Sequence, residues 1–114
     1  MALHYNLSKV YFNADNDDEF VVKTLRIFIN IAPKLLTELK NCIEQKNYFL
    51  VEKLAAENQS KLELFGMTSA FEEIVLIQLW ANRQGKRKEI KETYKSLENR
   101  VEKAVKEIRK DFKL

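Results

Sequence analysis

Glycine, proline and cysteine are scarce in this sequence, and each scarcity excludes a class of structure. The 114 residues include two Gly and one Pro, whereas a sheet with several tight turns would need more of both. The composition therefore favours long helices joined by few turns. The single cysteine, Cys42, rules out an internal disulfide and fits a reducing compartment.

Long apolar runs and targeting signals are also lacking. The longest apolar runs, such as Ile74 to Ile77, are far too short to cross a bilayer. The first residues lack the basic and apolar regions of a secretory signal. We therefore expect a cytoplasmic protein with no membrane partner, and at this length a single domain over residues 1–114.

Charge is modest overall but uneven along the chain. The net charge is +3, yet from Arg83 to Leu114 there are twelve Lys or Arg against six acids, a local balance of +6. A basic end can attract nucleic acid or an acidic partner. No aromatic or Arg-fork motif interleaves these charges, so we interpret them as the solvated face of a long helix and expect no nucleic-acid partner.

Apolar residues recur at helical spacing through most of the chain. The spacing places both Leu54 and Leu97 in the core. Pro33 interrupts one apolar stripe, and proline removes a backbone hydrogen bond, so a kink or break is expected near residues 31–33. The sequence thus predicts an all-α fold, an antiparallel four-helix bundle with one or two short or kinked N-terminal helices. The predicted bundle helices are about 34–46, 48–65, 68–84 and 87–112.

The segment from Leu54 to Met67, LAAENQSKLELFGM, carries the most specific pattern. In spacing and flanks it resembles the phosphoacceptor helix of the histidine-containing phosphotransfer (HPt) domain family. Leu54 and Ala55 match the Leu-Ala of that family's Leu-Ala-His motif, and Gly66 stands where the closing glycine belongs. The resemblance implies a four-helix bundle, a role in a two-component phosphorelay, and a response-regulator receiver domain or a histidine kinase as partner.

The residues that carry the chemistry in that family are absent here. Ala56 occupies the histidine position, Gln59 the position of the lysine, and Ser60 that of the small residue. Phosphoryl transfer through histidine needs an imidazole nucleophile and a nearby cation. The only histidine, His4, lies ahead of all predicted helices, and we interpret it as an incidental surface residue.

No other catalytic arrangement is present. The sequence has no Cys–His or Ser–His pair within helical reach, no metal-spaced cluster and no glycine-rich phosphate loop. We therefore expect no enzyme activity, no metal site and no cofactor. The resemblance implies instead a pseudo-phosphotransfer protein, which binds a receiver or kinase domain without carrying phosphate.

The sequence offers two candidate binding surfaces, one for this interpretation and one for an alternative to it. The candidate receiver-docking face is the one on which the family displays its histidine, and it comprises Lys53, Ala56, Gln59, Ser60, Glu63, Val75 and Leu79. The alternative is a helical interaction module unrelated to phosphorelay, in one form a homodimer, which would use the flank from Val75 to Trp80 or the basic last helix. A two-fold contact through Leu76 and Trp80 would favour that alternative.

Overall fold

Five helices form the secondary structure of residues 3–114, the part of the chain that the computed structural model describes. They are α1 (Ser8–Asn13), α2 (Asp18–Glu44), α3 (Tyr48–Leu64), α4 (Thr68–Asn82) and α5 (Arg87–Phe112). Residues 3–114 contain no strand, so the all-α prediction is confirmed. None of the helices in this range is both long enough and apolar enough to cross a membrane.

The helix that contains Pro33 runs without a break. Of the kink or break expected near residues 31–33, the break does not occur, because α2 is continuous from Asp18 to Glu44. The predicted start of a bundle helix at residue 34 is therefore wrong. Pro33 is exposed, and its missing N–H leaves only one carbonyl, that of Ile29, without a helical donor. Buried side chains both before and after Pro33 face one core, so burial outweighs the local cost of the proline.

α2 begins where the sequence changes from acidic turn to apolar stripe. The Asp17 side chain accepts hydrogen bonds from the backbone N–H groups of Glu19, at 3.1 Å, and Phe20, at 3.3 Å. This cap satisfies donors that would otherwise lack partners at the helix start. Asp18 and Glu19 in the first turn also complement the positive end of the helix dipole.

Each of the four longer helices packs against two of the other three. α3 packs against α2 and α4, α5 packs against α2 and α4, and α1 lies on α2. The predicted apolar stripes form most of the shared core, including Leu25, Leu39, Val51, Ile74, Ile77, Leu97 and Ile108, and the core also contains Trp80 from the flank of α4. Leu54 is the exception, because it is only partly buried and packs at the edge of that core.

The turn between α3 and α4 depends on Gly66. Its φ of +65° lies in the left-handed region, and a Cβ added there would lie 2.5 Å from Cβ of Asn6. The backbone N–H of Asn6 donates to the Phe65 carbonyl at 2.8 Å, so the N-terminal segment crosses directly over the turn. Only glycine accommodates both the conformation and the close approach.

Trp80 and Gly85 close the opposite end of the same helix pair. The indole Nε1 of Trp80 donates to the Lys86 carbonyl at 2.8 Å, and the Tyr48 hydroxyl donates to the Gly85 carbonyl at 2.8 Å. A side chain on Gly85 would collide with the indole ring. Trp80 therefore joins α4 to the start of α5 as a buried residue with a satisfied N–H.

Replacing Gly66 with alanine should destabilise the protein. We expect Gly66→Ala to lower the free energy of unfolding by more than about 1 kcal/mol, because an L-residue in the left-handed region is strained and its Cβ would overlap Asn6. Urea melts with a linear-extrapolation fit measure this loss.

Lys46 provides the matched control. It has a φ of +55° at the turn before α3, so Lys46→Gly relieves strain while adding the flexibility of glycine to the unfolded chain. This variant should lie within about 1 kcal/mol of wild type. Equal losses for Gly66→Ala and Lys46→Gly would contradict the role given to the Gly66 turn.

Candidate functional site

The α3 residues singled out in the sequence share one side of that helix. Lys53, Ala56, Ser60 and Glu63 recur every three or four residues, and all four side chains are exposed. Gln59 lies on the α4-facing edge of this side and is partly buried. The remaining side of α3 carries its buried residues into the core.

Two amide contacts fix α4 beside this surface. The Gln59 amide Nε2 donates to Oε1 of Gln78. The Asn82 amide Nδ2 donates to Oε1 of Glu52 at 3.3 Å. Because the earlier α3 residue pairs with the later α4 residue, the helices run antiparallel, and this register places Leu79 level with Ala56.

The predicted site residues of α3 and those of α4 thus lie on one surface. Val75 is partly buried and lies one helical turn before Leu79, whose side chain is 56% exposed. We call the surface formed by Lys53, Ala56, Gln59, Ser60, Glu63, Val75 and Leu79 the α3–α4 face. Its apolar members are Ala56, Val75 and Leu79, of which Ala56 and Leu79 are exposed at the same level of the helix pair, and its other members are polar.

Glu63 marks the end of the α3–α4 face nearest α1. The Lys9 ammonium lies 3.3 Å from Glu63 Oε1, and both side chains are exposed. An exposed pair of this kind stabilises a fold little, since solvent screens it. The pair does, however, place the Lys9 cation of α1 at the edge of the α3–α4 face. The charged residues of the face itself are Lys53 and Glu63.

The α3–α4 face is exposed to contact with another protein, but it lacks the groups that phosphoryl transfer through histidine requires. Ala56 presents a methyl group where a nucleophile would have to stand. Gln59 donates to Gln78 and carries no charge to stabilise phosphoryl oxygens. Ser60 has a hydroxyl, but no base hydrogen-bonds to it in the described part of the chain.

The flank from Val75 to Trp80, which the alternative function would use, contains both buried and exposed side chains. Trp80 is 1% exposed, so its side chain belongs to the core and is not available for a two-fold contact with Leu76. Ile77 is also buried, whereas Leu76 is 52% exposed. The surface-accessible part of that flank is therefore Leu76 and Leu79, which lie three residues apart on adjacent positions of the helix surface.

Several charges of the basic last helix are engaged with acids. Arg100 Nε lies 3.0 Å from Glu73 Oε1 of α4, although its N–H is not aligned for a hydrogen bond, so the contact is an ion pair alone. At the helix start, Arg83 Nη1 donates to Glu89 Oε2 at 3.0 Å. Glu89 also accepts from the Lys86 backbone N–H, and these bonds lower the pKa of its carboxyl.

His4 is held against α5, so its interpretation as an incidental surface residue is wrong: the side chain is partly buried and has a partner. Its Nδ1 lies 3.3 Å from Glu107 Oε2. The backbone N–H groups of Leu3 and His4 donate to Glu107 Oε1 at 2.9 and 3.0 Å. The adjacent Tyr5 hydroxyl donates to Asp111 at 2.6 Å, and burial together with this carboxylate raises the pKa of Tyr5.

No sequence signal marked the His4–Glu107 pair, because its members are separated by 103 residues and belong to no common helical stripe. The pair lies on α5, outside the α3–α4 face. Within residues 3–114, no cluster of three or more His, Cys, Asp or Glu side chains is arranged to hold a metal ion.

Comparison of the chain with protein-family models, with curated proteins and with solved structures found no match in any of the three searches. The residue pattern of α3 and the geometry of the α3–α4 face are therefore the features from which a function can be inferred.

Glu107 should make the stability of the protein depend on pH. Burial alone would raise the pKa of its carboxyl, but hydrogen bonds from His4 and Leu3 outweigh burial and lower the pKa below the ordinary 4.5. A carboxyl with a lowered folded-state pKa stabilises the fold above its unfolded pKa, and this contribution is lost as pH falls through the folded value.

Glu107→Gln should therefore lower the free energy of unfolding at pH 7, and the deficit should shrink as pH falls below 4.5. Urea melts at several pH values between neutrality and about pH 3 would measure the difference. Glu92→Gln, at an exposed position on the same helix, is the control and should show little deficit at any pH. A Glu107→Gln deficit that stays constant with pH would contradict the role given to the carboxylate.

Proposed function

We propose that this protein is an HPt-like signalling domain of a two-component phosphorelay, which binds a receiver or kinase domain without carrying phosphate. In this proposal α2, α3, α4 and α5 form an antiparallel four-helix bundle, and α1 is an N-terminal addition. The cyclic contacts of the four longer helices support that architecture. So does the antiparallel register of α3 and α4, which Gln59 and Gln78 define.

The observation that carries the proposal is the exposure of Ala56 on the α3–α4 face. Ala56 holds the position of the phosphoacceptor in the pattern that α3 resembles, and its side chain is exposed at the same level of the helix pair as the exposed Leu79. An apolar centre with a polar rim is the usual anatomy of a protein–protein contact. A small side chain at the centre also lets a partner approach the helix closely.

The same residues argue against a phosphate-carrying role for this face. Ala56 offers no nucleophile, Gln59 offers no cation, and Glu57 adds an exposed negative charge next to the acceptor position. His4, the only imidazole, lies on α5 with Glu107. The protein would act as a scaffold or as a competitor for a receiver surface.

A paired assay tests the two halves of this proposal. The protein is incubated with phosphorylated receiver domains encoded in the same genome, and acid-labile phosphate on it is measured. Binding to each receiver is measured by titration calorimetry. We expect no phosphate on the protein, and weak binding to a cognate receiver. Ala56→Asp should weaken that binding about tenfold, because it places an uncompensated charge at the centre of the contact.

Asn99→Asp is the matched control. Asn99 is exposed on α5, and its substitution adds the same single negative charge away from the α3–α4 face. It should leave receiver binding unchanged. Acid-labile phosphate on the protein would refute the absence of phosphotransfer, and equal weakening by Ala56→Asp and Asn99→Asp would refute the docking site.

The exposure of Leu76 and Leu79 supports a second candidate, a homodimeric interaction module unrelated to phosphorelay. These two leucines occupy adjacent positions on the outer surface of α4 and could meet their counterparts in a second copy. Failure to bind any receiver, together with a dimer in light scattering that Leu76→Asp dissociates, would favour this candidate over the first.

A further inference from the structure

A cleft of about 160 Å³ opens between α2 and α3, on a different side of α3 from the α3–α4 face. Ile27 and Ile31 of α2 stand at its mouth, and both are exposed. Its inner wall reaches the core and includes Leu97 of α5. Nearly all of the lining side chains are apolar.

Two phenylalanines give the cleft an aromatic wall. Phe28 of α2 and Phe65, which follows α3, both line it, and their ring centroids lie 4.2 Å apart with planes inclined at 28°. Aromatic pairs offer a further ring favourable stacked or edge-on positions. Apolar cavities of about 150 Å³ in proteins bind molecules of the size of benzene, so the cleft has room for one small aromatic molecule.

Asn58 is the polar group buried in this apolar wall. Its side chain is 6% exposed and lines the cleft. The amide Nδ2 donates to the Leu54 carbonyl at 2.7 Å, the partner that a buried amide at this position needed. Within residues 3–114 this is the only hydrogen bond that the side chain makes, so the amide Oδ1 is left with free acceptor capacity.

The charged residues of the cleft limit which charge a ligand can carry. Lys61 is the one charged side chain among the lining residues, and it is exposed. No carboxylate lines the cleft, so nothing there would stabilise a cationic ligand.

From these features we propose that the α2–α3 cleft is a binding site for a small, uncharged aromatic molecule that carries one hydrogen-bond donor, such as a phenol. The ring packs against Phe28 and Phe65, and the hydroxyl donates to Oδ1 of Asn58. This site is independent of the proposed docking role, because the cleft and Ala56 lie on different sides of α3.

Phenol and toluene test this assignment, since they have similar size and differ in the hydroxyl. The ¹⁵N-labelled full chain is titrated with each, and backbone amide shifts are followed by NMR. We expect saturable shifts at the cleft, with a phenol dissociation constant on the order of a millimolar. Phenol should bind about fivefold or more tightly than toluene, the contribution of one hydrogen bond to a buried acceptor.

Four variants sharpen the test. Asn58→Leu should abolish the preference for phenol, because it removes the acceptor while keeping a similar volume. Ile31→Trp should weaken both ligands at least about tenfold by obstructing the mouth, and a tenfold change is readily resolved. Leu76→Trp, at an exposed position on α4, is its control and should leave both affinities unchanged. Ala56→Asp should also leave them unchanged, which separates this site from receiver docking.

Four results would overturn the proposal. These are no saturable shifts, shifts spread over the whole surface, equal affinities for phenol and toluene in the wild type, and cleft shifts that depend on protein concentration. The last result would show that a second copy fills the cleft. The wild-type comparison of the two ligands decides the question even if Asn58→Leu fails to fold.

Discussion

The turn at Gly66 is the constraint on which the other contacts of this fold depend. Its positive φ ends α3 and starts α4 in an antiparallel pair, and its missing side chain leaves space for Asn6. Because Asn6 is bonded to the Phe65 carbonyl, the residues before it are directed onto α5, where His4 meets Glu107. The Gly66 turn thus helps to position the N-terminal segment against α3, α4 and α5. The same turn orients α4 relative to α3, and so it determines how the residues of the α3–α4 face are arranged.

Within this frame, binding and phosphoryl transfer have separate physical requirements. Binding needs a complementary surface, and the exposed side chains of Ala56 and Leu79 supply apolar area for one. Transfer needs a nucleophile and a cation at fixed positions, and the α3–α4 face has neither. Under the proposed function, the domain would bind a receiver without taking phosphate from it, and competition or scaffolding would be its simplest regulatory effect.

The sequence predicted the all-α fold class, and it also predicted where α5 begins and ends. The α5 prediction succeeded because a narrow stripe of apolar residues recurs at helical spacing among charged residues, and that spacing determines which side chains are buried. It misplaced the start of the first long helix, since the local cost of Pro33 is visible in the sequence and the compensating burial is not. The exposure of Lys53, Ala56 and Ser60 followed from periodicity alone. The Gln59–Gln78 contact required the register of two helices, and the His4–Glu107 pair required the path of the N-terminal segment, neither of which a single sequence specifies.

The most direct measurement of the central claim is NMR mapping of a cognate receiver domain on the ¹⁵N-labelled protein. The account predicts that the perturbed backbone amides cluster on α3 over residues 53–63 and on α4 over residues 75–79, with Ala56 and Leu79 at the centre. It also predicts that the amides around His4 and Glu107 keep their shifts. Perturbations centred on α5 or on the N-terminal segment would contradict the account, because they would place the docking surface away from the α3–α4 face.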